Sequence, residues 1–75
     1  MTTEITLTVG YQNGEIVAVE ETTAITIDNE LVHYGNVPVN FNIIRLADLI
    51  EDIPLVNAFD DGEMHFEVYK RVYRK

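Results

Sequence analysis

Residues 4–11 alternate without a break, with Ile5, Leu7, Val9 and Tyr11 on one face and Thr6, Thr8 and Gly10 on the other, and the run leads straight into Asn13-Gly14. A period of two is the signature of a strand with one buried side, and Asn-Gly after such a run is a strong hairpin signal. The chain thus begins as an antiparallel hairpin. A two-residue loop at Asn13-Gly14 would set Val9 opposite Ala18 and Leu7 opposite Glu20, which puts a carboxylate on the apolar face. A three-residue loop, Gln12-Asn13-Gly14 with Gly14 left-handed in a G1 bulge, pairs Val9 with Val17 and Leu7 with Val19 instead. A slip of one residue sends every side chain to the opposite face, so the three-residue loop is the expected one.

From Glu15 to Asp28 there is neither glycine nor proline. Fourteen residues exceed the usual strand length, and the weak apolar parity across Glu20-Glu21-Thr22-Thr23 predicts a bend, a bulge or a tight joint there. Ile25 and Ile27 share a face, Asp28-Asn29-Glu30 supplies turn residues, and Val32 and Tyr34 are expected back on the face of the two isoleucines. Gly35-Asn36 and Pro38 end this strand. The pattern then changes period: Ile43, Leu46, Ala47, Ile50 and Ile53 fall at the spacing of one helical face, with Arg45, Asp48 and Asp52 opposite. Asn40 or Asn42 can cap this segment, Val39 and Ile44 can form a hydrophobic staple, and Pro54 disfavours helix at Ile53, which predicts a helix near 41–52. A short apolar stretch, residues 55–59, leads to a turn at Asp60-Asp61-Gly62. Residues 63–73 then read as a last strand, with Met64, Phe66 and Val68 on its apolar side, buried against the helix, and Glu67, Tyr69, Arg71 and Tyr73 on the other.

The expected fold class is therefore α+β: a small antiparallel sheet of four to five strands with one helix packed on a face, in the order meander, helix, C-terminal strand. Nothing repeats at a fixed period, and residues 1–75 read as a single domain near the lower size limit for a core without a staple. Oligomerisation is one route to stability at that size, so a homo-oligomer is kept open. The chain has no cysteine, serine or tryptophan. Disulfides, thiolate metal sites and Ser-His or Cys-His nucleophile pairs are excluded with them. The seven threonines all fall within residues 2–26, at positions a strand would use, and read as strand-face residues. The start, Met1-Thr2-Thr3-Glu4, lacks the pattern of a secretory signal, and no apolar run approaches the roughly 20 residues that span a bilayer. A soluble, cytoplasmic protein that engages no membrane is the expectation.

Charge is the strongest anomaly. All thirteen acidic residues lie in residues 1–69 with Arg45 as the only base there, and the other four bases sit in Lys70-Arg71-Val72-Tyr73-Arg74-Lys75. A net charge of −8 speaks to association rather than to fold. Asp48, Glu51, Asp52, Asp60, Asp61 and Glu63 fall within sixteen residues with no base among them, and the first three would oppose the dipole at a helix C-terminus. These six are the candidate partner-binding residues, read as a docking surface for a cationic partner; a merely solvated face is the plainer reading. The oxygen-rich turn lacks the alternating ligands of an EF-hand loop, so no metal and no cofactor are expected. His33 and His65 are isolated in sequence and would bind zinc only by meeting across the sheet. Adjacent Glu20 and Glu21 point to opposite faces and cannot share a proton.

Tyr69, Arg71, Tyr73 and Lys75 would line one face of the last strand as an aromatic and basic stripe, the combination that single-stranded nucleic acid binders use. The charge of −8 repels nucleic acid, so direct binding is not expected. Guarding an edge strand, pairing with Glu4, Glu15 or Glu21, or self-association by docking on another copy's acidic body are the other readings. The expected function is that of a small acidic, non-catalytic interaction protein, an inhibitor or adaptor whose carboxylates occupy a basic, nucleic-acid-binding site on another protein, as small mobile-element proteins often do. The alternative is a structural subunit that self-assembles through its basic C-terminal strand.

Overall fold

The computed structural model describes residues 1–40 and 52–74. They form β1 (Thr2–Gln12), β2 (Glu15–Ile27), β3 (Glu30–Pro38), β4 (Leu55–Asp61) and β5 (Met64–Arg74). The five strands make one sheet in the order β3-β2-β1-β5-β4, with every neighbouring pair antiparallel. The α+β expectation is corrected accordingly: the described residues are all-β and contain no helix, so a helix packed on the sheet is not supported. Residues 41–51 of the span read as helical lie outside the described residues, and Asp52 stands in a turn. Helical spacing within a short apolar segment cannot by itself tell helix from strand. Residues 55–59, read as a connection, belong instead to β4. Their partner is β5, reached through a two-residue turn in which Gly62 has the positive φ (66°) that the first position of a tight hairpin turn demands.

The first hairpin corrects the three-residue loop. Gln12 pairs with Glu15 and Tyr11 with Ile16, so the loop is Asn13-Gly14 alone, and both residues are left-handed (φ 54° and 79°) as a type I′ turn requires. Gly14 is left-handed as expected, but in a different turn. A bulge then intervenes: Gly10 pairs with Ala18 and Val9 with Val19, leaving Val17 as the extra, exposed residue. One inserted residue restores an apolar partner to Val9 without lengthening the turn. Leu7 nevertheless faces Glu21, a pairing that neither loop had suggested.

A second left-handed pair, Asp28 (φ 52°) and Asn29 (φ 65°), joins β2 to β3. The bulge here falls on β3 at Val32, between the pairs Thr26 with Leu31 and Ile25 with His33. It shifts the parity, so His33 rather than Val32 lies opposite Ile25, and Tyr34 lies opposite Ala24 on the other face. β2 itself runs through Glu20-Glu21-Thr22-Thr23 as one strand of 13 residues.

Leu7, Val9 and Val19 form the buried core of one face, at 1%, 0% and 3% exposure. The opposite face carries direct threonine pairs, Thr2 with Thr26 and Thr6 with Thr22, a favourable cross-strand combination. Met64, Phe66 and Val68 share this second face and are half-buried, with Phe66 stacked on Phe59 at 5.2 Å between ring centroids. Phe66 also lies over Gly10, its direct partner on β1. No helix among the described residues is long and apolar enough to cross a membrane.

Candidate functional site

β1 and β5 are antiparallel neighbours with Gln12 opposite Met64, and that pairing sets the turn Asn13-Gly14 beside the turn Gly62-Glu63 at one end of the sheet. Glu15 follows the first turn, Glu63 sits in the second, and Asp60, Asp61 and Glu67 flank it on β4 and β5. Five carboxylates therefore share this end. Among the described residues no lysine or arginine joins them: Lys70, Arg71 and Arg74 lie toward the opposite end, where Arg74 pairs with Thr2. That opposite end is mixed, because Asp28 and Glu30 stand there at the β2–β3 turn.

Among the described residues, His65 is the basic side chain at the acidic end. It pairs with Asp60 in register, and its Nδ1 lies 2.7 Å from Asp60 Oδ1 while Nε2 lies 3.5 Å from Glu67 Oε2. The hydrogen bond with Asp60 raises the His65 pKa above 6.5; desolvation opposes this in part, and Glu67 adds to it. A protonated imidazole donates from both nitrogens, so the cation satisfies both carboxylates where the neutral ring satisfies one. Tyr69 donates its hydroxyl to Glu67 Oε1 at 3.0 Å, and its pKa is pushed up to about 12, first by burial and then by that hydrogen bond. Tyr11, with its ring 6.0 Å from His65, is raised for the same two reasons in the same order. Tyr11, Asn13, Gly14, Glu63, His65 and Glu67 line a pocket of about 420 Å³.

Burial and Glu67 hold the two phenols protonated, and His65 lies between Asp60 and Glu67 in the wall of the pocket. Among the described residues no three His, Asp or Glu side chains are placed to hold a metal ion. His33 and His65 do not meet, because β2 and β1 separate their strands.

Of the six carboxylates singled out in the sequence, the sheet brings Asp60, Asp61 and Glu63 together. Asp52 stands beyond the far end of β4, where its backbone carbonyl accepts a 2.6 Å hydrogen bond from the Arg71 guanidinium. Asp48 and Glu51 lie outside the described residues. His65 was weighed only as a zinc ligand, and Glu15, Glu67 and Tyr11 were not among the candidates for this surface; the β4–β5 hairpin places His65 and Glu67 beside the acidic turn, and the β1–β5 pairing brings Tyr11 and Glu15 to it. Tyr69, Arg71 and Tyr73 share the face of Leu7 through their pairs with Leu7, Ile5 and Thr3, and Arg71 sits 5.5 Å from the Tyr73 ring centroid; Lys75 lies outside the described residues. β4 pairs with β5 from Met64 to Tyr69, and Lys70, Arg71 and Arg74 lie beyond that pairing. Lys70 pairs with Glu4 at 3.3 Å. Comparison with protein-family models, curated proteins and solved structures finds no match to this chain.

Proposed function

We propose that this chain is a non-catalytic interaction protein whose acidic end occupies a basic, nucleic-acid-binding site on another protein. The observation that carries this reading is the gathering of Glu15, Asp60, Asp61, Glu63 and Glu67 at one end of the sheet, against one histidine among the described residues. Uncompensated like charge raises the local potential by several kT and steers a cationic partner toward that end. Repeated carboxylates along two neighbouring hairpins also offer a basic groove what a phosphate backbone offers it. The test is capture from lysate by the wild-type chain and by the triple variant Asp60→Lys, Asp61→Lys, Glu63→Lys. Proteins held by the wild type, lost by the variant and displaced by added duplex DNA or RNA support the reading. Identical capture by a folded triple variant, or capture that nucleic acid does not compete with, removes it.

A second reading is a structural subunit that self-assembles head to tail through the basic end of β5. It draws on Arg71 and Arg74 standing opposite the acidic end. Removing Arg74 and Lys75 would then dissociate the assembly, as would added salt, whereas the first reading leaves the oligomeric state unchanged.

A further inference from the structure

We infer that β3 is a self-pairing edge, and that two copies of the chain join through antiparallel β3–β3 contact about a two-fold axis at Gly35. β3 and β4 are the two edges of the sheet. An edge presents unpaired backbone N–H and C=O groups, and proteins blunt such edges with charge, proline, bulges or short length. The two edges here are treated differently. β4 is seven residues long and ends in Asp60-Asp61, whereas β3 is nine residues long and carries one charge, Glu30, at its first position. Along β3 the side chains of Leu31, Val32, Tyr34 and Val37 are 60%, 55%, 63% and 54% exposed.

Geometry selects the register. The Val32 bulge interrupts pairing on one side, and Pro38, which has no N–H to donate, closes the other, so residues 33–37 are the regular ladder available. The midpoint of that run is Gly35. An antiparallel pair centred there sets Tyr34 opposite Asn36 of the second copy and His33 opposite Val37, and each pair joins residues of the same face, as a continuous sheet requires. Gly35 adds no side chain of its own at the axis, and the His33 ring lies over it, with Nε2 3.4 Å from where a Cβ would stand.

Charge and symmetry identify the occupant as a second copy. On a chain of net charge −8, residues 31–38 of β3 are a stretch without a carboxylate, so two copies can meet there with no like charges opposed. The two Glu30 side chains fall at opposite ends of the contact, beyond the roughly 8 Å Debye length of physiological salt. The isologous contact also closes at two, where β3 on β4 would grow into a filament.

A short ladder buries less than the roughly 1,200 Å² of a standard interface, so the dimer should be weak and in concentration-dependent exchange. Sedimentation velocity across a concentration series should show monomer passing to dimer. Tyr34→Lys, which puts a cation on the edge, should weaken the dimer by about tenfold or more while circular dichroism reports an intact sheet. Should that variant fail to fold, amide exchange on the wild type decides: protection confined to amides of residues 33–37 and rising with concentration supports the pairing. A wild type that stays monomeric at the highest concentration, a dimer indifferent to Tyr34→Lys, or β3 amides whose protection ignores concentration overturns it. None of these readouts involves the acidic end.

Discussion

Gly10 is the position where a single methyl group tests the packing. It is buried, pairs directly with Phe66, and has no positive φ that would demand glycine. A Cβ built there would stand 3.2 Å from Phe66 Cε1 and 3.3 Å from Met64 Cε, a few tenths of an ångström inside ordinary contact. For Gly10→Ala two small effects oppose each other. Loss of unfolded-state freedom contributes about 0.5–1 kcal/mol of stability, and the overlap takes back a similar amount, because the Met64 terminus is flexible. The net should lie within about 0.5 kcal/mol of zero. Gly10→Val is different, since its extra methyl groups must displace the ring itself and with it the stack on Phe59 at 5.2 Å. Overpacking costs about 1–3 kcal/mol and a lost aromatic pair about 0.5–1.5 kcal/mol, against a strand-propensity gain of at most about 1 kcal/mol. The expected loss is about 1–3 kcal/mol, read as a fall of roughly 4–20 °C in melting temperature for a chain of this size. Urea unfolding of Gly10→Val alone and combined with Phe66→Leu isolates the cause, because the smaller residue makes room and should remove most of the penalty. A Gly10→Val variant as stable as Gly10→Ala, or a penalty unchanged beside Phe66→Leu, would refute the account.

Other consequences of the geometry can be measured directly. Gly14→Val should lose roughly 1–2 kcal/mol in urea unfolding, because φ is 79° and no atom lies within 4 Å of the added Cβ, so the cost is that of the backbone alone. His65 should titrate by NMR above 6.5, and Asp60→Asn should bring it back down; since the folded pKa is the raised one, its stabilising contribution is full below pH 6.5 and fades as pH rises through the folded pKa. Tyr69 follows the same sign at higher pH: its tyrosinate absorbance should appear near pH 12 in the folded chain and near 10 in urea, with stability declining between those values. Tyr69 ionising near 10 in the folded chain would remove the burial and the Glu67 contact as causes.

What the sequence discloses and what it withholds divide along the range of the interactions. The strand character of residues 4–11 and of 63–73 is local, carried by alternation, and both strands are present. Turn positions are local too: Asn13-Gly14, Asp28-Asn29 and Gly62 all adopt the left-handed backbone their residue types permit. Register is less local. Bulges at Val17 and Val32 each consume one residue, and nothing in the composition of either strand marks where that residue goes, so the parity of Val32 and Tyr34 could not be read. β4 is least legible, because Leu55, Val56, Asn57, Ala58 and Phe59 do not alternate cleanly and only pairing with β5 makes them a strand. The same divide runs through the site. Asp60, Asp61 and Glu63 stood out as neighbours in sequence and Glu67 joins them within the same hairpin, whereas Glu15 reaches them through the β1–β5 pairing, for which one sequence holds no signal.

The central place of β1 is what turns an uneven distribution of charge into a polarised molecule. With β1 between β2 and β5, both hairpin turns beside it face one way and the cations of β5 point the other. Had β5 paired elsewhere, Lys70, Arg71 and Arg74 could have neutralised the turns. Instead Lys70 meets Glu4 and Arg71 meets the carbonyl of Asp52, both away from the acidic end. An exposed ion pair such as Lys70–Glu4 contributes at most about 1 kcal/mol, so stability alone gives no strong reason for the segregation. A lysine at Glu63, exposed in a turn beside two aspartates, would relieve like-charge repulsion at no cost in packing. The acidic end is thus carried against a small electrostatic penalty that a single substitution would lessen, and the proposed docking on a cationic partner would account for its being kept.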